Sequence, residues 1–244
     1  MNKDKKNKIP SMDQQVDVMS IFPTPLVKIN IGRDFTKDEL QLFLTDIPMY
    51  KDVIKGMTNH RSKDYYLFDN FAEELKDIKE FCESQSKDYL EKIEGADTNF
   101  AGLRITQSWL NKTKPGESHH PHSHPNSYLS GVLYITCLPN DSIIFNNRMN
   151  GMFTNMEFPI KKTTAWNSNG AAINVTEGDF IIFPSWVPHH VDVNETKNRE
   201  RISLSFNTFP VGEMGDYNGL THLKLGGYHE VEDLMKGTTS VNKI

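Results

Sequence analysis

The spacing of apolar positions changes near residue 101. Before it, Phe71, Leu75, Ile78, Phe81, Cys82, Tyr89 and Ile93 recur at three- and four-residue steps. That period predicts a helix over about 70–93 whose apolar stripe packs on a sheet. Thr36-Lys-Asp-Glu39 has capping-box spacing and precedes Leu40, Phe43, Leu44 and Ile47, which predicts a short amphipathic helix. Residues 19–31 read as a strand, and Pro23 and Pro25 place its start at a sheet edge. After residue 101 the apolar runs shorten to strand length: 103–110, 130–137, 142–145, 172–175, 179–183, 190–193 and 202–209. Turn residues separate them, at Pro115-Gly116, Pro139-Asn140-Asp141 and Glu177-Gly178-Asp179. Helices followed by about eight strands predict a mainly β domain with flanking helices, a jelly-roll barrel.

The chain carries no internal repeat and no low-complexity linker, so its 244 residues are expected to form one domain. The expected division is a disordered polar tail over 1–18, the barrel with its helices over 19–210, and an irregular extension over 211–244. A net charge of −5 with no basic stripe argues against nucleic-acid binding. No apolar run reaches membrane-span length, and the first residues lack the apolar core of a secretory signal. Cys82 and Cys137 fit buried free thiols, so a cytoplasmic location is expected. The pattern leaves a homo-oligomer open.

Candidate chemistry sits in two histidine-bearing segments. The first holds His119, His120, His122 and His124; the second runs from Gly178 through Phe183-Pro-Ser-Trp186 to His189 and His190. Strand residues two apart share a face, so His122 and His124, with His120 at the same parity, are expected to point into one cavity. His189 would close a three-point metal site from an opposing strand. Imidazole suits iron, zinc, copper and nickel alike, so the histidines alone do not name the metal. Arg201 and Ser203 share a face on the next strand. A planar guanidinium captures a carboxylate with two prongs, and a neighbouring hydroxyl adds a further bond, which suits a dicarboxylate.

Together these residues resemble the Fe(II)- and 2-oxoglutarate-dependent oxygenase superfamily, prolyl-4-hydroxylase-like in layout. They are closer still to a branch carrying W-x-N, H-x-H-P-x-S-x-x-S-G, F-P-S-W-x-x-H-x-V and R-x-S-x-x-F-N. Those read here as Trp109 to Asn111, His122 to Gly131, Phe183 to Val191 and Arg201 to Asn207. The resemblance spans roughly residues 19–210. It implies a double-stranded β-helix, Fe(II) as metal, 2-oxoglutarate as cosubstrate and O2 as oxidant. It also implies His122 and His189 as ligands, Arg201 with Ser203 as the anchor of the distal carboxylate, and Asn111 and Tyr134 as further cosubstrate contacts. The usual superfamily pattern has an acidic residue where His124 stands. Either His124 is the third ligand, or it supports the ligands from behind while water, Glu117 or Asp192 takes the third position.

A cupin is the competing reading, since Gly116, His122 and His124 and then Gly178, Pro184 and His189 approximate its two motifs. Against it, Tyr128 and Leu129 stand where that family expects a glutamate, and Trp186 stands where it expects a glycine. A non-catalytic metal-binding scaffold is the third reading. Substrate contacts are expected from segments 57–68 and 146–170, with Tyr65, Tyr66, Phe153 and Trp166 among them. Their polarity favours a peptide or polar metabolite, and the layout slightly favours a protein side chain.

Overall fold

The computed structural model describes residues 19–51, 58–147 and 159–226. The expected tail over 1–18, Phe153, and the chain after 226 lie outside the described residues. In chain order the elements are β1 (Val27–Asn30), α1 (Lys37–Gln41), β2 (Met49–Lys51), β3 (His60–Ser62), α2 (Leu67–Asn70), α3 (Lys76–Asp88), β4 (Ala101–Thr113) and β5 (His119–His122). They continue with β6 (Leu129–Thr136), β7 (Ser142–Asn146), β8 (Gly170–Asn174), β9 (Asp179–Pro184), β10 (His189–Val191), β11 (Arg201–Met214) and β12 (Leu223–Leu225).

The large sheet runs β1-β9-β6-β11-β4-β3-β2, with β12 beside β11; the small sheet runs β5-β10-β7-β8. The eight strands from β4 to β11 thus divide four and four, β4, β6, β9 and β11 against β5, β7, β8 and β10. Every pairing within that set is antiparallel. This is the double-stranded β-helix, or jelly roll.

Alternation along the large-sheet strands sorts side chains into two layers. Leu110, Leu129, Leu133, Ile135, Phe180, Ile182, Ile202, Leu204 and Phe206 join one buried cluster with Leu75, Ile78 and Cys82 of the helical layer. The intervening residues Val132, Tyr134, Ile181 and Phe183 face the small sheet and pack with Ile143, Phe145 and Val175. The central strands β6 and β9 are therefore buried on both faces, which is why they read as continuous apolar runs. On β11 the second layer falls on Arg201, Ser203 and Ser205. Apolar packing fixes the strand on one face and delivers polar groups to the barrel interior on the other.

The helices form near where expected, but a turn over residues 71–75 separates α2 from α3 and both helical segments end differently. Thr36 accepts from the Glu39 backbone N–H while the Glu39 carboxylate accepts from the Thr36 N–H, completing the capping box. Both helical segments then widen into π-helical turns, at Leu42–Asp46 and Tyr89–Glu94. One extra residue per turn rotates the following side chains. Leu42 and Leu90 are buried, whereas Leu44 and Ile93, assigned to the stripes from sequence, are exposed. The helix expected over 70–93 is accordingly α2, a turn, α3 and a π-helical end.

Two more expectations change. The stretch after Pro210 is not wholly irregular, because β11 continues to Met214 and pairs with β12. Segment 57–68 contains β3, which pairs with β4 at Arg61 and Asn111, followed by the start of α2. Strand β1 is shorter than expected, yet it lies at the sheet edge beside β9 as its prolines require. Among the described residues no helix is long and apolar enough to cross a membrane.

Candidate metal centre

A cavity opens between the two sheets, lined among others by Asn111, His122, His124, Tyr134, His189, Arg201 and Ser203. The residues assigned from sequence to the metal and to the cosubstrate therefore all line one space. That space is small, about 50 Å³, enough for one or two water molecules.

At one end, His122, His124 and His189 bring one ring nitrogen each to within 4.8 Å of one another. His122 closes β5 and His189 opens β10, and the two are direct cross-strand partners. His124 lies beyond the end of β5, where its backbone N–H donates to Ser185 O (3.0 Å) just past β9. Hydrogen bonds orient the rings. His122 Nδ1 is 2.9 Å from His120 O, and His189 Nδ1 is 3.0 Å from Val187 O. A carbonyl only accepts, so each Nδ1 carries the proton and each Nε2 keeps its lone pair. His124 Nε2 lies 3.3 Å from His189 Nε2. Two nitrogens bound to one ion at roughly 2.0–2.1 Å sit about 3.0–3.4 Å apart, so this spacing fits a shared ion.

The third ring depends on Asn207, whose amide lies 3.5 Å from His124 Nδ1. An amide nitrogen there donates to Nδ1 and leaves the proton on Nε2. The amide turned by half a rotation sets Oδ1 against an Nδ1–H and frees Nε2. Ser130 Oγ, 2.8 Å from the other arm of the amide, serves either orientation because a hydroxyl both donates and accepts.

Burial holds these imidazoles neutral. It pushes His189 and His124 down to about 3 and His119 down to about 2, with neighbouring histidines adding to the effect. His122 is lowered too, again mainly by burial. Neutral rings at physiological pH are the ligand-competent form.

Strand parity failed at one position. His119, not His120, lines the cavity with His122 and His124. The register shifts between the His189–His122 and Val191–His119 pairs, so one extra residue of β5 is spent there. Such a bulge reverses the alternation. Pro121, which has no N–H to donate, sits within it.

At the other end, Arg201 is buried, and its Nη1 donates to Asp141 Oδ1 at 2.8 Å. The sequence reading missed this partner, because Asp141 passed as a turn residue in Pro139-Asn140-Asp141. Ser203 is buried beside Arg201's face of β11. Asn111, opposite Ser203 in register, donates from Nδ2 to Ser205 Oγ (3.1 Å) and accepts from Asn59 Nδ2 (3.5 Å). Burial raises Tyr134, so its hydroxyl stays protonated and able to donate. Among the aromatic side chains proposed for the substrate loops, Trp166 and Tyr66 are exposed. Tyr65 instead stacks under the Arg61 guanidinium, 5.1 Å from its ring centre.

Comparison with known proteins agrees with this architecture. Residues 107–207 match the model of the family described as "Putative 2OG-Fe(II) oxygenase". That stretch runs from β4 into β11 and contains every candidate site residue, so the superfamily resemblance drawn from the motifs is supported. An oxidoreductase of the 2OG-Fe(II) oxygenase family from Burkholderia pseudomallei superposes with a TM-score of 0.52 at 12% identity, covering 75% of this chain and 85% of that one. The non-heme alpha-ketoglutarate-dependent epimerase SnoN from nogalamycin biosynthesis gives 0.52 at 10% identity, covering 78% and 79%. At these identities the likeness is one of fold. No curated protein sequence matches the chain.

Proposed function

We propose that the protein is an Fe(II)- and 2-oxoglutarate-dependent oxygenase whose iron is held by His122, His124 and His189. The observation that carries this reading is that His122, His124 and His189 bring one ring nitrogen each within 4.8 Å of one another, with the His122 and His189 Nδ1 protons held by backbone carbonyls and His124 Nε2 3.3 Å from His189 Nε2. The donor set fits a borderline divalent ion. It lacks the usual carboxylate, which leaves the bound ion with its full charge and favours an anionic cosubstrate beside it.

Arg201 and Ser203 are the groups we assign to the far carboxylate of 2-oxoglutarate, with Asn111 and Tyr134 along its length. Asp141 occupies one guanidinium nitrogen, and a guanidinium has five N–H donors, so a second carboxylate can still be met. The present space of about 50 Å³ requires lining side chains to move as the cosubstrate enters. Such rotamer changes are common on binding. Iron and cosubstrate together supply the oxidising chemistry: substrate C–H, 2-oxoglutarate and O2 give substrate C–OH, succinate and CO2. The chain's own part is to hold neutral donors in place, anchor the diacid and exclude bulk water.

Hydroxylation is the proposed outcome, on a polar substrate with a protein side chain favoured. A larger cavity of about 620 Å³ adjoins the first and shares Phe183 with it; Phe145 and Val187 line it, Trp186 is at its rim, and Asn146 and Thr164 supply polar groups. This lining suits a substrate with an apolar body and a polar group. The test is a screen of peptides, amino acids and nucleosides for stimulated succinate release by iron-loaded protein. Stimulation with a product heavier by one oxygen supports hydroxylation. Succinate release with no oxygen in the product points to another oxidation, and absence of any 2-oxoglutarate turnover overturns the reading.

A further inference from the structure

Three ring nitrogens, one each from His119, His120 and His122, also lie within 4.8 Å of one another. The rings of His119 and His122 stack with centroids 4.3 Å apart, and those of His120 and His122 at 5.3 Å. Adjacent strand residues ordinarily point to opposite faces. The bulge in β5 removes that opposition and gathers both neighbours around His122. Strand β5 is the edge of the small sheet, so this group sits where an ion can arrive from outside. His119 lines the cavity and His120 does not, so the group spans the cavity wall. Among the described residues, His120 Nδ1 is buried with no hydrogen-bond partner. A buried polar nitrogen without a partner is costly, and a metal bond is one way to satisfy it.

We propose that His119, His120 and His122 form a second, outer seat for a divalent transition ion, sharing His122 with the inner triad. The His122 Nδ1–H is committed to the His120 carbonyl, which leaves Nε2 as its one free donor. One ion can therefore sit with His124 and His189 or with His119 and His120, but two ions cannot both use His122. An ion arriving at the edge strand can exchange partners around His122 without leaving the protein. The inference rests on the metal-centre reading only in that His122 is common to both.

The test is Ni(II) binding to the full chain by calorimetry, with Cu(II) resonance spectra as a second readout. His124→Ala removes the inner triad and keeps the outer one; His120→Ala does the reverse and retains the carbonyl that orients His122. We expect His120→Ala to bind Ni(II) like the unmodified protein. His124→Ala should still bind one Ni(II) more weakly, with a changed Cu(II) spectrum. The double variant should lose at least a further ~10-fold, the loss that even outer partners of a metal site cause. Equal affinity in His124→Ala and the double variant, or no binding in His124→Ala, overturns the outer seat. No Ni(II) uptake by the unmodified protein overturns the metal-centre reading itself.

Discussion

The two ends of the central cavity solve the burial of polar groups in opposite ways. The histidine end, built largely on the small sheet, uses imidazoles that burial keeps neutral and that depend on a few carbonyl and amide contacts. The Arg201 end, on the large sheet, holds a permanent charge and neutralises it with Asp141. A neutral, adaptable end can accept an ion; a charged, prepaired end holds its geometry before any ligand arrives. The difference teaches which end should respond to protons and metals and which to substitution.

The largest expected effect falls on the Arg201 end. Arg201→Met leaves Asp141 buried without its cation, and we expect a loss of about 3–5 kcal/mol in denaturant unfolding. Adding Asp141→Leu should recover most of it, since an apolar pair replaces the ion pair. If the double variant is as unstable as the single one, the pair is not what Arg201 contributes.

Arg201→Lys keeps the charge and removes the fork. Succinate release should then need at least ~10-fold more 2-oxoglutarate, the consequence of losing a charged hydrogen bond of roughly 1.5–3 kcal/mol. An unchanged dependence would detach Arg201 from the cosubstrate and favour a cupin-like site.

Acid should act on the histidine end. In the unfolded chain these histidines titrate near the ordinary value of about 6.5, whereas in the fold His189 and His124 stay neutral down to about 3. Between those values the unfolded chain binds more protons. The stability of metal-free protein is therefore complete above pH ~6.5 and is lost progressively as pH falls toward ~3. Thermal unfolding followed from pH 7.5 to 4.5 checks the direction, and His124→Ala should flatten the slope. A slope that survives this substitution and His189→Ala unchanged would place the titration elsewhere.

Thr36→Ala lies far from both ends and serves as the control. Losing the cap should cost about 1 kcal/mol while leaving metal binding and succinate release unaltered.

Most of the barrel was legible because its strands have buried faces and explicit turns. The alternation on β11 that puts Ile202, Leu204 and Phe206 on the helices also exposes why Arg201 and Ser203 face inward. What was not legible arose from pairing between distant segments. The bulge that exchanges His120 for His119 is set by how β5 meets β10, not by the local run of histidines. Asp141 gave no local sign of its role, since its partner lies on another strand and its own context is that of a turn. The π-helical turns that bury Leu42 and Leu90 follow from packing on the sheet, which periodicity alone does not contain. Asn207 was visible as part of a motif, but its place beside His124 appears only in three dimensions.

The central claim is that His122, His124 and His189 hold one iron. Anaerobic Fe(II) loading followed by metal analysis tests it most directly, on the unmodified protein and on His189→Ala. The account predicts one iron per chain in the former and a loss of retained iron in the latter, with the fold intact by circular dichroism. Retention of iron by His189→Ala equal to that of the unmodified protein would contradict it.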